Sequence, residues 1–135
     1  MDNKIKKLSG KIVKGVQKAS FFTGLDWVQE QCKVKLGFRP YPGTLNLQIE
    51  AGYLQVLEQL QKETCEELVP PDQSFCSAKV QPVTIGNERG AILIPDEDVR
   101  VHGDTIVELI APNRLKDALN VDDGDSLTVV LRNPK

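Results

Sequence analysis

Residues 36–47 of the chain read Leu36-Gly-Phe-Arg-Pro-Tyr-Pro-Gly-Thr-Leu-Asn-Leu47. Within this run, the six residues from Phe38 to Gly43 include two prolines and a glycine, which exclude regular structure and predict a stiffened loop. The residues that follow, Thr44 to Ile49, predict a β-strand. Because successive side chains of a strand point to opposite faces, we expect Thr44 and Asn46 to lie on the same face.

A hydroxyl and an amide on one face of a strand suit two different roles. Neutral oxygen ligands of this kind can hold Mg²⁺ beside phosphate oxygens, because this ion commonly takes few protein ligands and keeps waters or substrate oxygens. Threonine and asparagine beside a turn also commonly hydrogen-bond the nearby backbone. The spacing of Thr44 and Asn46 alone leaves both interpretations open.

Helices are predicted in three places. Apolar residues recur at four-residue spacing from Asp26 to Leu36, and Gly37 suits the left-handed position that ends a helix. The run from Ala51 to Glu67 is rich in Leu, Gln and Glu, which favours a second helix. Arg114 to Leu119, after a proline, predicts a third and shorter one.

The remaining periodic segments indicate short β-strands connected by turns. They are Gly10 to Val16, Ser77 to Ile85, Gly90 to Pro95, Thr105 to Ala111 and Ser126 to Arg132, with Ser20 to Thr23 as a possible strand start. Gly15 begins a turn, Gly86 to Gly90 is typical of a hairpin connection, and Asp123-Gly124 is a turn signal. Many short strands with two or three short helices predict a mainly β protein whose sheet closes into a barrel. A length of 135 residues suits a single domain over residues 1–135.

Composition excludes several classes of function. Seventeen basic and nineteen acidic residues give a net charge of −2, which supplies no general attraction to nucleic acid. No stretch approaches the roughly 20 apolar residues of a membrane span. The three cysteines are widely spaced and form no CxxC pair, so neither a disulfide framework nor a zinc site is indicated. We therefore expect a cytoplasmic protein with reduced thiols and with neither nucleic acid nor membrane as partner.

The familiar catalytic signatures are missing from the sequence. It contains no P-loop, no GxGxxG fingerprint, no HExxH zinc motif and no GxSxG elbow. The single histidine, His102, has no obvious Cys or Ser partner and is interpreted as an ordinary loop residue. The chemistry of the chain must therefore be sought around residues 36–47.

In the form LGFxPYPGTLN, the run from Leu36 to Asn46 resembles the hallmark of the archaeal CTP-dependent riboflavin kinase family. Further segments agree with the same family: Ala91 to Pro95, Asp104 to Lys116 and Leu119 to Asp125. The resemblance extends from about Gly10 to Leu131. It implies a small six-stranded cradle-loop β-barrel and transfer of the γ-phosphoryl group of CTP to the 5′-hydroxyl of riboflavin, which gives FMN and CDP.

The resemblance also implies roles for particular residues. Thr44 and Asn46 would ligate Mg²⁺, and Glu108 would contact the flavin. Counting back from Glu108, Arg100 occupies the position of a second flavin-contacting residue, which is a threonine in the family. The nucleotide would be bound by two segments: Gly15, Val16, Gln17, Lys18, Ala19 and Ser20 over the phosphates, and Asn113, Arg114, Leu115 and Lys116 along the nucleotide.

One departure from the family keeps other functions open. The family's first loop has the form GxGxG because backbone amides must approach phosphate closely, whereas here Gly15 is the one glycine kept of three. Lys18 is a candidate cation to compensate for the lost glycines. The alternatives are a non-catalytic flavin- or nucleotide-binding barrel and, because of the pattern from Leu119 to Val129, a DNA-binding barrel. The sequence does not give the oligomeric state.

Overall fold

The computed structural model describes residues 6–14, 23–63, 67–71, 78–95 and 105–132. Within these ranges the chain forms seven strands and three helices. The strands are β1 (Lys7–Val13), β2 (Leu45–Ile49), β3 (Glu67–Leu68), β4 (Ala78–Ile85), β5 (Glu88–Pro95), β6 (Ile106–Ile110) and β7 (Ser126–Leu131). The helices are α1 (Asp26–Leu36), α2 (Leu54–Glu63) and α3 (Leu115–Leu119). None of these helices is long and apolar enough to cross a bilayer.

The strands form a closed antiparallel barrel. Neighbours follow the order β3-β4-β5-β6-β2-β1-β7, and a further pairing of β4 with β7 closes the ring of six strands. The short strand β3 adds to β4 outside that ring. The predicted fold class, a mainly β six-stranded barrel with short helices, is confirmed.

Alternation along the strands separates the barrel interior from its outer face. Leu45, Leu47 and Ile49 of β2 belong to the buried interior cluster, which also includes Leu109 of β6. The side chains between them, such as that of Asn46, therefore lie on the outer face. Helix α1 packs on the same side of the sheet, because its buried residues join a second cluster with Ile110.

Helix α1 ends where the sequence predicts. Gly37 has a φ of 86°, a left-handed conformation that a glycine adopts without steric cost, and its N–H donates to the carbonyls of Cys32 and Lys33. Arg89 of β5 donates a hydrogen bond of 3.0 Å to the Leu36 carbonyl, so the last turn is also fixed to the barrel.

The predicted second helix is wrong in extent. Ala51–Tyr53 forms a 3-10 turn, α2 covers Leu54–Glu63, and Glu67 lies in a strand that pairs with Lys79. The backbone of Glu67 and Leu68 joins the open edge of β4, and this pairing outweighs the helical propensity of Glu and Leu.

The first predicted strand is shifted in sequence. It lies at Lys7–Val13 rather than Gly10–Val16. Of the possible strand start at Ser20 to Thr23, the described residue Thr23 is helical. Gly15, which was predicted to begin a turn, lies outside the described residues.

Candidate active site

Three oxygen-bearing side chains lie together on the outer face of β2 and β6. Asn46 is directly opposite Glu108 in the antiparallel register of these strands. The Oγ1 of Thr44, two residues before Asn46, donates a hydrogen bond of 2.9 Å to Glu108 Oε1. Thr44, Asn46 and Glu108 are all half-buried. The structure therefore places the two residues predicted to bind metal on one face, with a carboxylate between their positions.

A cavity of about 170 Å³ opens beside Thr44. Its lining joins the proline-rich loop to the end of β6 and the start of α3, namely Tyr41, Pro42, Gly43, Thr44, Leu45, Leu109, Ala111, Asn113, Arg114, Leu115 and Lys116. The candidate nucleotide segment Asn113–Lys116 and the candidate metal ligand Thr44 are thus brought to one cavity. Asn46 and Glu108 lie next to this cavity but do not line it.

The loop and the nucleotide segment are also joined by the backbone. The N–H of Tyr41 donates a 2.7 Å hydrogen bond to the carbonyl of Ala111, the residue that follows β6. Ala111 is buried, and Pro112 and Asn113 follow it at the surface. This bond holds the two sides of the cavity at a fixed separation.

Lys116 supplies a positive charge at the rim of the cavity. Its Nζ donates a 2.7 Å hydrogen bond to Asp123 Oδ1 and lies 3.7 Å from Asp122 Oδ1. The hydrogen bond to Asp123 is the main cause that raises the pKa of Lys116 above its ordinary value. Arg114 forms an ion pair with a residue of its own helix turn: its Nη1 lies 2.8 Å from Asp117 Oδ1, and both side chains are exposed. Such an exposed pair has little effect on stability, so Arg114 remains available to a ligand.

The acidic turn that holds Lys116 is also attached to β1. The N–H of Ile12 donates to the Asp125 carbonyl at 2.9 Å, and the N–H of Gly124 donates to the Ile12 carbonyl at 2.8 Å. The sequence predicts a turn at Asp123-Gly124 and includes both residues in the segment Leu119 to Asp125 that agrees with the family. The contact of this turn with Lys116 had no local signal, because the two aspartates follow the lysine by six and seven positions across a helix end.

The segment Gly15–Ser20 and Arg100 lie outside the described residues, so their predicted roles stay predictions. The end of the preceding strand β1 is described. Val13, at the end of β1, is directly opposite Asn46. Strand β1 therefore ends beside the face that carries Thr44, Asn46 and Glu108.

The donor set of this face suits a hard cation. A hydroxyl, an amide and a carboxylate offer oxygen only, which is the chemistry that Mg²⁺ prefers. Across the described part of the chain, no three His, Cys, Asp or Glu side chains lie close enough together to hold a metal. The hydroxyl of Thr44 and the amide of Asn46 thus fit Mg²⁺ if phosphate oxygens and waters complete its coordination, with Glu108 hydrogen-bonded to Thr44 beside them.

Comparison with known proteins shows similarity over most of the chain. The model of a family named CTP-dep_RFKase, described as a domain of unknown function, DUF120, matches residues 12–131. A riboflavin kinase of Methanobrevibacter smithii is 35% identical over 91% of this chain and 98% of its own length. Riboflavin kinases of Methanosarcina barkeri and Archaeoglobus fulgidus are 33% and 35% identical over 97% and 91% of this chain. The chain spans only 59% and 53% of the length of these two relatives. The chain belongs to the family of CTP-dependent riboflavin kinases.

Proposed function

We propose that this protein transfers the γ-phosphoryl group of CTP to the 5′-hydroxyl of riboflavin and so produces FMN and CDP. The observation that carries the proposal is the cavity that joins Thr44 to Asn113–Lys116, with Glu108 hydrogen-bonded to Thr44 at its edge. Membership of a kinase family and full-length similarity to one riboflavin kinase support the same reaction.

Each part of the site has a task in this proposal. Asn113–Lys116 line the nucleotide, and the Lys116 ammonium attracts its phosphates. Thr44 and Asn46 hold Mg²⁺, which when bound neutralises phosphate charge. Glu108 accepts a hydrogen bond from the hydroxyl-bearing chain of riboflavin, since an ionised carboxylate can only accept. Phosphoryl transfer depends mainly on positioning and charge neutralisation, so this set needs no stronger base.

The ligands of the proposal are riboflavin and CTP as substrates and FMN and CDP as products. We further propose that residues 1–135 form one domain that works in the cytoplasm. The slight net negative charge of −2 agrees with small-molecule ligands rather than nucleic acid.

The proposal is tested by incubating the protein with riboflavin, Mg²⁺ and each of CTP, ATP, GTP and UTP, and then separating FMN from riboflavin. We expect FMN with CTP and little with the other three. If no nucleotide gives FMN, the proposed kinase activity is disproved. If ATP alone gives FMN, CTP is not the phosphoryl donor.

A second candidate is a flavin-binding barrel without turnover, which the loop Gly15–Ala19 favours because it keeps one glycine where the family has three. If close approach of backbone to phosphate is limiting, the double change Gln17→Gly and Ala19→Gly should raise CTP affinity. Calorimetric titration of CTP and riboflavin into both proteins measures this. If both the wild type and the double variant bind riboflavin but not CTP, the flavin-binding barrel becomes the better explanation and the kinase function is rejected.

A further inference from the structure

Two side chains near the start of α1 hold the loop that carries Thr44. Thr23 is completely buried, and its Oγ1 accepts a 2.6 Å hydrogen bond from the N–H of Gly43. Gln29, in the first turn of α1, donates from its Nε2 to the carbonyls of Pro40 and Thr23, at 2.7 and 2.6 Å. The two side chains thus bind both ends of the four-residue segment 40–43.

The bond to Gly43 matters because Gly43 immediately precedes Thr44. Gly43 has a φ of 121°, which L side chains rarely adopt, and a Cβ built there would have no atom within 4 Å. The space where a side chain would lie at this position is therefore open, so no packing there fixes the conformation of Gly43. A hydrogen bond from its amide to a buried hydroxyl on a neighbouring element supplies the constraint instead.

We propose that Thr23 and Gln29 are positioning residues for Thr44. They fix segment 40–43 to the start of α1, while the bond of Tyr41 to Ala111 fixes it to the end of β6. Thr44 then presents its hydroxyl to Glu108 and the cavity from a backbone held on both sides. This inference rests on the proposed function, since it assigns Thr23 and Gln29 a role in the Mg²⁺ dependence of that reaction.

The same helix provides a matched control. Gln31 exchanges two hydrogen bonds with the backbone of Val69, with its Nε2 donating at 2.6 Å and its Oε1 accepting at 2.8 Å. Val69 lies beyond β3 and does not line the cavity. Gln29→Met and Gln31→Met therefore make the same change of side chain, and each removes two hydrogen bonds from α1. Only Gln29→Met releases the Thr44 loop.

The first measurement is the Mg²⁺ concentration that gives half-maximal FMN formation at saturating CTP and riboflavin. Loss of groups that orient metal ligands typically weakens metal affinity or activity about 10–100-fold. We expect a rise of that order in Gln29→Met and no rise in Gln31→Met, with thermal unfolding of the two variants lowered to a similar degree. Equal Mg²⁺ dependence of the two variants would overturn the role of Gln29.

The second measurement does not depend on turnover. Thr23→Val removes the hydroxyl that accepts from Gly43 at nearly constant volume, whereas Thr23→Ser keeps it. Hydrogen exchange followed by NMR should show a faster Gly43 amide in Thr23→Val and a wild-type rate in Thr23→Ser. Exchange that accelerates across the barrel as well would indicate general destabilisation and overturn the specific role of Thr23.

The two measurements separate the two proposals. If the wild type forms no FMN, the proposed function fails, and the exchange rate of the Gly43 amide alone then tests whether Thr23 holds the loop. An unchanged exchange rate of this amide in Thr23→Val would overturn the positioning role of Thr23 even in an active enzyme.

Discussion

The hydroxyl of Thr44 has two partners in the proposed site, the Glu108 carboxylate and a metal ion. Thr44→Val keeps the shape of the side chain and removes both interactions. We expect the variant to fold normally and to form FMN on the order of 10²-fold more slowly at limiting Mg²⁺, as for other losses of geometry at a reacting centre. A comparison of initial rates across a Mg²⁺ series measures this effect.

Thr128→Val is the control for that change. Thr128 and Ser9 share a 2.7 Å hydroxyl hydrogen bond on the exposed surface between β1 and β7, so this variant also loses one hydroxyl contact. Its rate should equal that of the wild type. If Thr44→Val is as active as Thr128→Val at limiting Mg²⁺, Thr44 only shapes the turn.

The ammonium of Lys116 is the second individual group with a testable task. Lys116→Met keeps the aliphatic stem and removes the charge, and we expect CTP affinity to fall about tenfold while riboflavin affinity stays constant. Lys33→Met, at an exposed position of α1, should change neither affinity. Calorimetric titration of both ligands measures this, and an equal loss for riboflavin and CTP would contradict a phosphate contact.

The pH dependence of this contact follows from the direction of the shift. Asp123 raises the pKa of Lys116 above its ordinary value of 10.5. The charge is therefore fully present below that value and is lost only as the pH rises beyond it. We expect the difference in CTP affinity between wild type and Lys116→Met to stay constant from pH 7 to about pH 9.

Among the helices, α1 carries a buried titratable group in its packed face. Burial raises the pKa of the Cys32 thiol from 9.0 to about 11, although nearby Lys35 lowers it in part. The unfolded chain thus releases this proton at lower pH than the folded chain. Its contribution to stability is fully present below about pH 9 and is lost as the pH rises toward 11.

We therefore expect Cys32→Ala to reduce the loss of stability between pH 8.5 and 10.5, in a background where Cys65 and Cys76 are serine. Urea unfolding at both pH values, with and without Cys32, measures the difference. An identical pH dependence in the two proteins would show that the thiol of α1 does not titrate differently on folding.

Prediction from sequence succeeded where an element depends on its own residues. The four-residue spacing and Gly37 were sufficient for α1. The strand that carries Asn46 was found because a proline-rich loop precedes it, although it begins at Leu45 rather than at Thr44. Strand β3 was missed because two residues have no periodicity and depend on the edge of β4. The bounds of α2 failed for the same reason.

The candidate site also has parts that the local sequence predicts and parts that it does not. Thr44 and Asn46 belong to one short motif, whereas Glu108 entered only through the resemblance to a family. The hydrogen bonds of Gly43 with Thr23 and of Tyr41 with Ala111 join residues 20 and 70 positions apart in the sequence, so no local pattern predicts them. Family membership was predicted from the motif and is confirmed by the comparisons. The assigned roles of the site residues stay predictions.

Closure of the barrel brings these distant segments together. Strand β7 pairs with β1 and also with β4, and Val129 is opposite Leu8 on one side and Ile85 on the other. All three side chains are completely buried. Since β7 follows the acidic turn that holds Lys116, the packing of β7 against β1 and β4 also positions that part of the candidate site.

Val129→Ala should therefore destabilise the folded protein as a single unit. Removal of two buried carbon groups costs about 0.8 kcal/mol each, and the cavity left behind adds to this, so we expect the free energy of unfolding to fall by about 1.5–3 kcal/mol. Val34→Ala makes the same change at a side chain that is 83% exposed on α1. Alanine favours helix more than valine does, so the control should be unchanged or more stable by up to about 0.6 kcal/mol.

Urea unfolding should give a lower midpoint for Val129→Ala with an unchanged slope, because we expect the barrel to unfold in one step. Equal midpoints for the two variants would mean that the β4–β7 seam does not carry the stability of the barrel.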